Sequence, residues 1–329
     1  MKAVLNHLLN YQTLPQEEAY QVLLGIGKGE YNTSQIAGFL TLFALRGITV
    51  EELVGFRKAM LELLLPIDFH EYDAMDVCGT GGDGKDTFNV STLSAFVVAG
   101  AGQRVAKQGN HGVSSAVGSS TVLEYLGIKF TNDIDYLRRK METAGICYLH
   151  APLFHPAMKN VAPIRKELGI KTFFNMLGPM INPAFPQKQL VGVFNLELAR
   201  LYSYLYQQSK MHYLIVHALD GYDEVSLTGD FKIITAQNEQ ILSPLHLGLD
   251  ILTPTQLSGG ATLADSAQIF RDVLNDEATP AQKQVVLANA GLALYAANPT
   301  LSLTDAVAAA RESLESKRAL ACFKKLTED

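Results

Sequence analysis

Apolar residues recur at three- and four-residue intervals through the first part of the chain: Val4-Leu5-Leu8-Leu9, Ala19-Val22-Leu23, Ile36-Phe39-Leu40-Phe43 and Leu53-Phe56-Met60-Leu63-Leu64. That spacing lays one apolar stripe along each of several helices, so residues 1 to about 68 read as a compact helical bundle closed by Pro66. Thr49 followed by Glu52 fits a capping box opening the last of these helices. No catalytic constellation stands out here, and the pattern suggests packing, against the rest of the chain or a second subunit.

From about residue 74 the period changes. Short apolar runs at 75–78, 103–106, 146–149, 190–194 and 213–217 read as strands. Stretches at 91–101 (with Ser91 as N-cap), 120–126 and 196–207 read as helices between them. Strands alternating with helices predict βαβ units, hence an α/β class: a small helical domain beside a large domain whose mainly parallel central sheet is flanked by helices. The stretch 155–188 breaks this alternation. A helix is predicted from His155-Pro156 to about Leu168, followed by Phe173-Phe174-Asn175-Met176-Leu177-Gly178-Pro179, and together they read as a helical crossover joined to the N-terminal bundle. The expected domains are therefore 1–70 with this crossover, and 71–329. Two long helical patterns, 280–297 and 303–326, end the chain.

Composition narrows the partners. The 329 residues are 48% hydrophobic and 18% charged, an ordinary balance for a folded protein with a sizeable core. The net charge of −6 comes with no basic block, which argues against nucleic acid as a partner but leaves room for a small anionic ligand. Cys78, Cys147 and Cys322 are far apart with no CxxC spacing, as suits reduced thiols in a cytoplasmic protein. No apolar stretch approaches the roughly 20 residues of a membrane helix, so no membrane partner is expected.

The candidate chemistry begins at Cys78-Gly79-Thr80-Gly81-Gly82-Asp83-Gly84. By letter this contains the dinucleotide fingerprint GxGxxG, but Lys85-Asp86-Thr87-Phe88-Asn89 intervenes before the helix and no acid follows about 20 residues on. It also nearly spells a P-loop, yet Asp86 stands where a magnesium-binding hydroxyl belongs. What remains is a glycine-rich turn between a strand and a helix, where backbone N–H groups can gather on an anion. A second loop, from Lys107-Gln108-Gly109-Asn110-His111-Gly112-Val113-Ser114-Ser115 to Gly118-Ser119-Ser120, repeats the mix of glycine, hydroxyl and cation that suits phosphate. Asp223 and Glu224 follow the last strand; adjacent carboxylates suit magnesium, although a charged turn reads the same way. Arg165, in the crossover, has the geometry to clamp a carboxylate, or to lie on the surface.

Taken in order, these blocks resemble the anthranilate phosphoribosyltransferase family. The resemblance runs from Asp76-Val77-Cys78 and the glycine loop, through Thr87-Phe88-Asn89-Val90-Ser91-Thr92, Lys107-Gln108-Gly109-Asn110, Val122-Leu123-Glu124-Tyr125-Leu126-Gly127 and His155-Pro156-Ala157-Met158, to Phe174-Asn175-Met176-Leu177-Gly178-Pro179 and Asp220-Gly221-Tyr222-Asp223-Glu224. It implies transfer of the phosphoribosyl group of 5-phosphoribosyl 1-pyrophosphate to anthranilate, with loss of pyrophosphate, in tryptophan biosynthesis. It further implies a donor site of Gly79, Gly82, Asp83, Thr87, Asn89, Val90, Ser91, Thr92, Lys107, Gln108, Gly109, Asn110, His111, Gly112, Val113, Ser114, Ser115 and Ser119. Gly79, Asn110 and Arg165 would hold the acceptor, and Ser91, Asp223 and Glu224 two magnesium ions; dimerisation through the helical domain is implied as well. No general acid or base is identified. Where the family usually reads Lys-His-Gly-Asn-Arg, this chain has Gln108 and His111. Anthranilate remains the expected acceptor. The rivals are a phosphoribosyltransferase with a different aromatic acceptor, a pyrimidine nucleoside phosphorylase, for which a different first loop and no Asp-Glu pair are expected, and a non-enzymatic nucleic-acid-binding relative, which would need a basic surface that a charge of −6 does not advertise.

Overall fold

A computed structural model describes residues 1–112 and 117–328. The chain divides into two compact units, Met1–Pro66 with Ala151–Pro183, and Ile67–His150 with Ala184–Asp329.

The helical unit contains Lys2–Leu9, Gln16–Lys28, Thr33–Arg46 and Val50–Leu63. Each buries the apolar positions that set its period. The capping box is present: the Thr49 hydroxyl accepts from the Glu52 N–H, and the Glu52 carboxylate accepts from the Thr49 N–H. Phe39, Phe43, Phe56 and Phe173 form an aromatic cluster, with Phe56 and Phe173 stacked at 4.4 Å, so the 151–183 segment shares the bundle's core. The single helix expected from 155 to 168 is instead two pieces, a 3-10 turn Pro156–Asn160 and a helix Ala162–Leu168. Pro163 explains the break: it has no N–H for the carbonyl a turn earlier and restarts a helix at its first turn.

In the sheet unit the order is β3-β2-β1-β4-β5-β6-β7. Here β1 is Met75–Gly79, β2 Val105–Gly109, β3 Ile146–His150, β4 Lys188–Gly192, β5 His212–Ala218, β6 Phe231–Ile234 and β7 Glu239–Leu242. The first five are parallel; β6 and β7 add on antiparallel and were not expected. Side chains alternate across the sheet. Met75 and Val77 enter the main core with the helices Val90–Gly100 and Pro280–Ala297. Asp76 points the other way, where Gln189 donates to it, and Gln189 in turn accepts from the Tyr206 hydroxyl of the helix Leu196–Gln207. The last predicted helix is also broken, into Leu303–Glu315 and Arg318–Thr327, by Lys317 at φ 65°. That turn lets the final segment pack back on Val90–Gly100, and the buried Lys140 ammonium binds carbonyls of Lys325 and Glu328 at its end.

Candidate active site

Strand order reverses at β1: the chain runs outward through β2 and β3, then returns to β4 on the other side. Open α/β sheets bind ligands at such a switch point, beyond the carboxyl ends of the strands. At those ends Gly79 and Gly192 lie opposite each other. Both are glycine because the segment after β5 crosses directly over them. A Cβ on Gly192 would strike the Asp223 carbonyl, and one on Gly79 the Asp223 carboxylate. In the loop itself Gly81, Gly82 and Gly84 take φ of 64°, 80° and 72°, which side-chain-bearing residues rarely adopt.

That crossing brings three acids together. The Gly81 N–H donates to Asp223 Oδ2 at 2.6 Å, and the Asp223 N–H approaches Asp83 Oδ2 at 3.5 Å. Asp83 Oδ1 accepts from the Lys85 N–H at 3.1 Å. Burial first, then the charge of Asp83, pushes the Asp223 carboxyl up to about 7. Burial, then Asp223, pushes Glu224 well above the carboxylate range, while Thr87 and Lys107 pull the other way. Glu224 is 9% exposed, and its Oε1 has no hydrogen-bond partner among the described residues. Buried and partnerless there too are Thr80 Oγ1 and Thr92 Oγ1.

Lys107 is the counter-charge. It is 2% exposed, and its ammonium donates to the Val77 carbonyl at 2.5 Å and the Ser91 hydroxyl at 3.4 Å. Burial lowers its pKa, while the charges of Asp76, Asp223 and Glu224 hold it up. One ammonium does not balance that many buried acids, so the arrangement favours a further cation, and the unpartnered Glu224 oxygen offers it a ligand. Among the described residues no three His, Cys, Asp or Glu side chains form a ready-made metal cluster. Magnesium binds through one or two carboxylates together with substrate phosphates and waters.

The helix Val90–Gly100 points its N-terminus at the same place. It begins at Val90, with Asn89 rather than Ser91 as N-cap and no side-chain hydrogen bond from that cap. The Ser91 hydroxyl is taken by Lys107, and Asn89 donates instead to the Val117 carbonyl at 3.3 Å. Uncapped N–H groups and the helix dipole favour an anion there.

Comparison with known proteins supplies the family. Residues 71–320 match the glycosyl transferase family, a/b domain, and residues 2–64 its helical bundle domain. An anthranilate phosphoribosyltransferase of Flavobacterium psychrophilum is 58% identical over 326 residues, 99% of this chain and 98% of that protein. Another, of Cytophaga hutchinsonii, is 57% identical over 325 residues, 99% of each. The chain belongs to the anthranilate phosphoribosyltransferase family. Among solved structures of anthranilate phosphoribosyltransferases, that of Thermus thermophilus is 35% identical with a TM-score of 0.91, covering 98% of both chains. That of Saccharomyces cerevisiae in complex with PRPP and Mg is 26% identical, also at 0.91, covering 99% of this chain and 97% of that one.

In this anthranilate phosphoribosyltransferase family member, Gly79, Gly82, Asp83 and Thr87 lie at the end of β1 or in the loop after it. Asn89, Val90, Ser91 and Thr92 start the following helix. Lys107, Gln108 and Gly109 end β2, Asn110, His111 and Gly112 follow it, and Ser119 opens the next helix. Asp223 and Glu224 follow β5. Val113, Ser114 and Ser115 lie outside the described residues. Arg165 belongs to the helical unit. Its guanidinium donates to Asn175 Oδ1 at 3.2 Å and lies 5.3 Å from the Phe174 ring centroid, and burial lowers its pKa.

Sequence reasoning missed several supports. Asn289, a buried amide in the Ala- and Leu-rich helix Pro280–Ala297, accepts from the Val225 N–H at 3.0 Å and donates to the Val225 carbonyl at 2.9 Å. It thereby clamps the chain just after Glu224. Gly192 was passed over because its reason lies in a residue 31 positions away. A buried Asn in an apolar helix is itself a signal, since its amide requires partners.

Proposed function

We propose that this chain transfers the phosphoribosyl group of 5-phosphoribosyl 1-pyrophosphate to the amine of anthranilate, releasing pyrophosphate, as a step of tryptophan biosynthesis. The observation that carries the reading is the meeting of glycine loop, uncapped helix N-terminus and incompletely neutralised Asp223-Glu224 pair at one switch point, in a family whose named members make this transfer.

The bond from the ribose C1 to the pyrophosphate oxygen breaks, and a bond from C1 to the aniline nitrogen forms. The amine attacks as the neutral nitrogen and loses its proton after the new bond forms, so positioning and electrostatics supply most of the acceleration. In this reading the helix N-terminus at Val90–Thr92 and the residues from Lys107 to Gly112 orient the donor's phosphates. Asp83, Thr87 and Asn89 hold the ribose-phosphate side. Ser91, Asp223 and Glu224 would bind two magnesium ions, which when bound neutralise the departing pyrophosphate. Gly79, Asn110 and Arg165 take the acceptor, with the guanidinium on the anthranilate carboxylate. The half-buried guanidinium, hydrogen-bonded to the neutral Asn175 amide, supports that role. The exposed apolar side chains Leu9, Tyr11 and Leu45 support association of two copies through the helical unit. Among the described residues no helix is long and apolar enough to cross a membrane. The expected location remains the cytoplasm.

The test is a fluorescence assay of anthranilate consumption with donor and magnesium. Asp83→Ala and Lys107→Ala are expected to abolish most turnover, and Arg165→Lys to raise the KM for anthranilate while leaving that for the donor near its starting value. Stoichiometric pyrophosphate release with another aromatic amine, and none with anthranilate, would overturn the acceptor assignment.

A further inference from the structure

Beside the second loop a run of polar groups crosses between strand and helix. Tyr148 lies on β3, opposite Lys107 in register. Its hydroxyl is 2.8 Å from Ser119 Oγ and 2.8 Å from Ser120 Oγ. Ser119 Oγ donates to the Asn110 carbonyl at 3.2 Å, which also accepts the Ser120 N–H at 3.2 Å. At the other end, Ser120 Oγ is 2.8 Å from His150 Nδ1. The Tyr148 and Ser120 side chains are buried, and His150 is 9% exposed, stacked on Phe130 at 4.6 Å and edge-on to His111 at 5.0 Å.

The chemistry of these groups fixes the direction of every proton. A carbonyl only accepts, so Ser119 must donate to Asn110. Each hydroxyl has one proton, so Tyr148 must then donate to Ser119, and Ser120 to Tyr148. Ser120 has no proton left for the imidazole, and His150 must carry its proton on Nδ1. Burial, then the neighbouring His111, lowers the His150 pKa, with Glu124 opposing, which favours the neutral ring with one N–H to place. Gly109 completes the arrangement, because any Cβ there would collide with the Tyr148 hydroxyl and Ser119.

We propose that Tyr148 is a positioning residue for the donor site, holding Asn110 and Ser119 in register through a one-directional hydrogen-bond chain that begins at His150. This rests on the donor assignment above for Asn110 and Ser119; the tyrosine itself touches neither substrate in this reading. Cutting the chain at its middle frees Ser120 to donate to His150, so the imidazole is no longer held in one tautomer.

Two readouts on Tyr148→Phe test this. Donor binding, measured by calorimetry with magnesium, is expected to weaken about tenfold, as for loss of a buried hydrogen bond. Ser119→Ala is expected to weaken it as well, and the double variant no further than the weaker single, because both break one chain. Nitrogen-15 NMR of His150 is expected to show Nδ1–H in the unaltered protein and a mixture with Nε2–H in Tyr148→Phe. Unchanged donor affinity in Tyr148→Phe, additive losses in the double variant, or an Nε2–H imidazole in the unaltered protein would each overturn the proposal. Failure of the functional reading would look different: no anthranilate consumption by the unaltered protein, whatever the tautomer.

Discussion

The two units of this chain both bury carboxylates and treat them in opposite ways. Glu52, wholly buried in the helical unit, uses both oxygens: Oε1 accepts from the Leu14 N–H at 2.8 Å and the Arg46 guanidinium at 2.6 Å, and Oε2 from the Thr49 N–H at 2.8 Å. Glu224, in the sheet unit, has an acid beside it in Asp223 and one oxygen with no partner among the described residues. A buried charge whose bonds are all met inside the chain holds the fold. One left incomplete requires something from outside, and the site gathers around it. Arg165 is the positive counterpart, a half-buried guanidinium whose hydrogen bond goes to a neutral amide.

The sharpest way to break the comparison is to make Glu52 incomplete. Glu52→Ala leaves the Arg46 guanidinium and the Leu14 N–H behind, and should cost about 3–5 kcal/mol of stability by denaturant titration. Turnover per folded molecule should stay at its starting level. A loss of turnover without a loss of stability would contradict the structural role given to Glu52.

A smaller effect comes from His155, buried in the helical unit. Burial lowers its pKa from the usual 6.5 to about 4, so the folded state resists a proton that the unfolded chain accepts. Its contribution is therefore fully present above pH 6.5 and fades as pH falls towards 4, by about 3 kcal/mol in total. The stability difference between the unaltered protein and His155→Asn should shrink across that window. Asp223, with its raised pKa, shifts stability the opposite way between pH 4 and 7 in both proteins and cancels in the difference. A difference flat with pH would show that His155 is not held neutral.

Much of this was legible in the sequence because it is local. The period of apolar positions marked the helices of the first unit and the five parallel strands, and Thr49 with Glu52 announced its own cap. The helix Leu196–Gln207 fell where the pattern put it. What was not legible depends on distant contacts. The antiparallel strands Phe231–Ile234 and Glu239–Leu242 are four residues each, too short to show a period, and β7 is mostly exposed. The turn at Lys317 follows from packing against another helix. At the site, the sequence pointed to the glycine loop and the Asp-Glu pair as separate features. Gly192 and Asn289, which hold the Asp223–Val225 segment over the strand ends, have no meaning until the chain is folded.

The central claim is that Asp223 and Glu224 are left incomplete for magnesium, in company with the donor's phosphates. Calorimetric titration of magnesium into the protein, with and without 5-phosphoribosyl 1-pyrophosphate, tests it directly. The account predicts weak binding alone, tight binding with the donor, and loss of the tight phase in the Asp223→Asn, Glu224→Gln double variant. Equally tight magnesium binding by that double variant would contradict it.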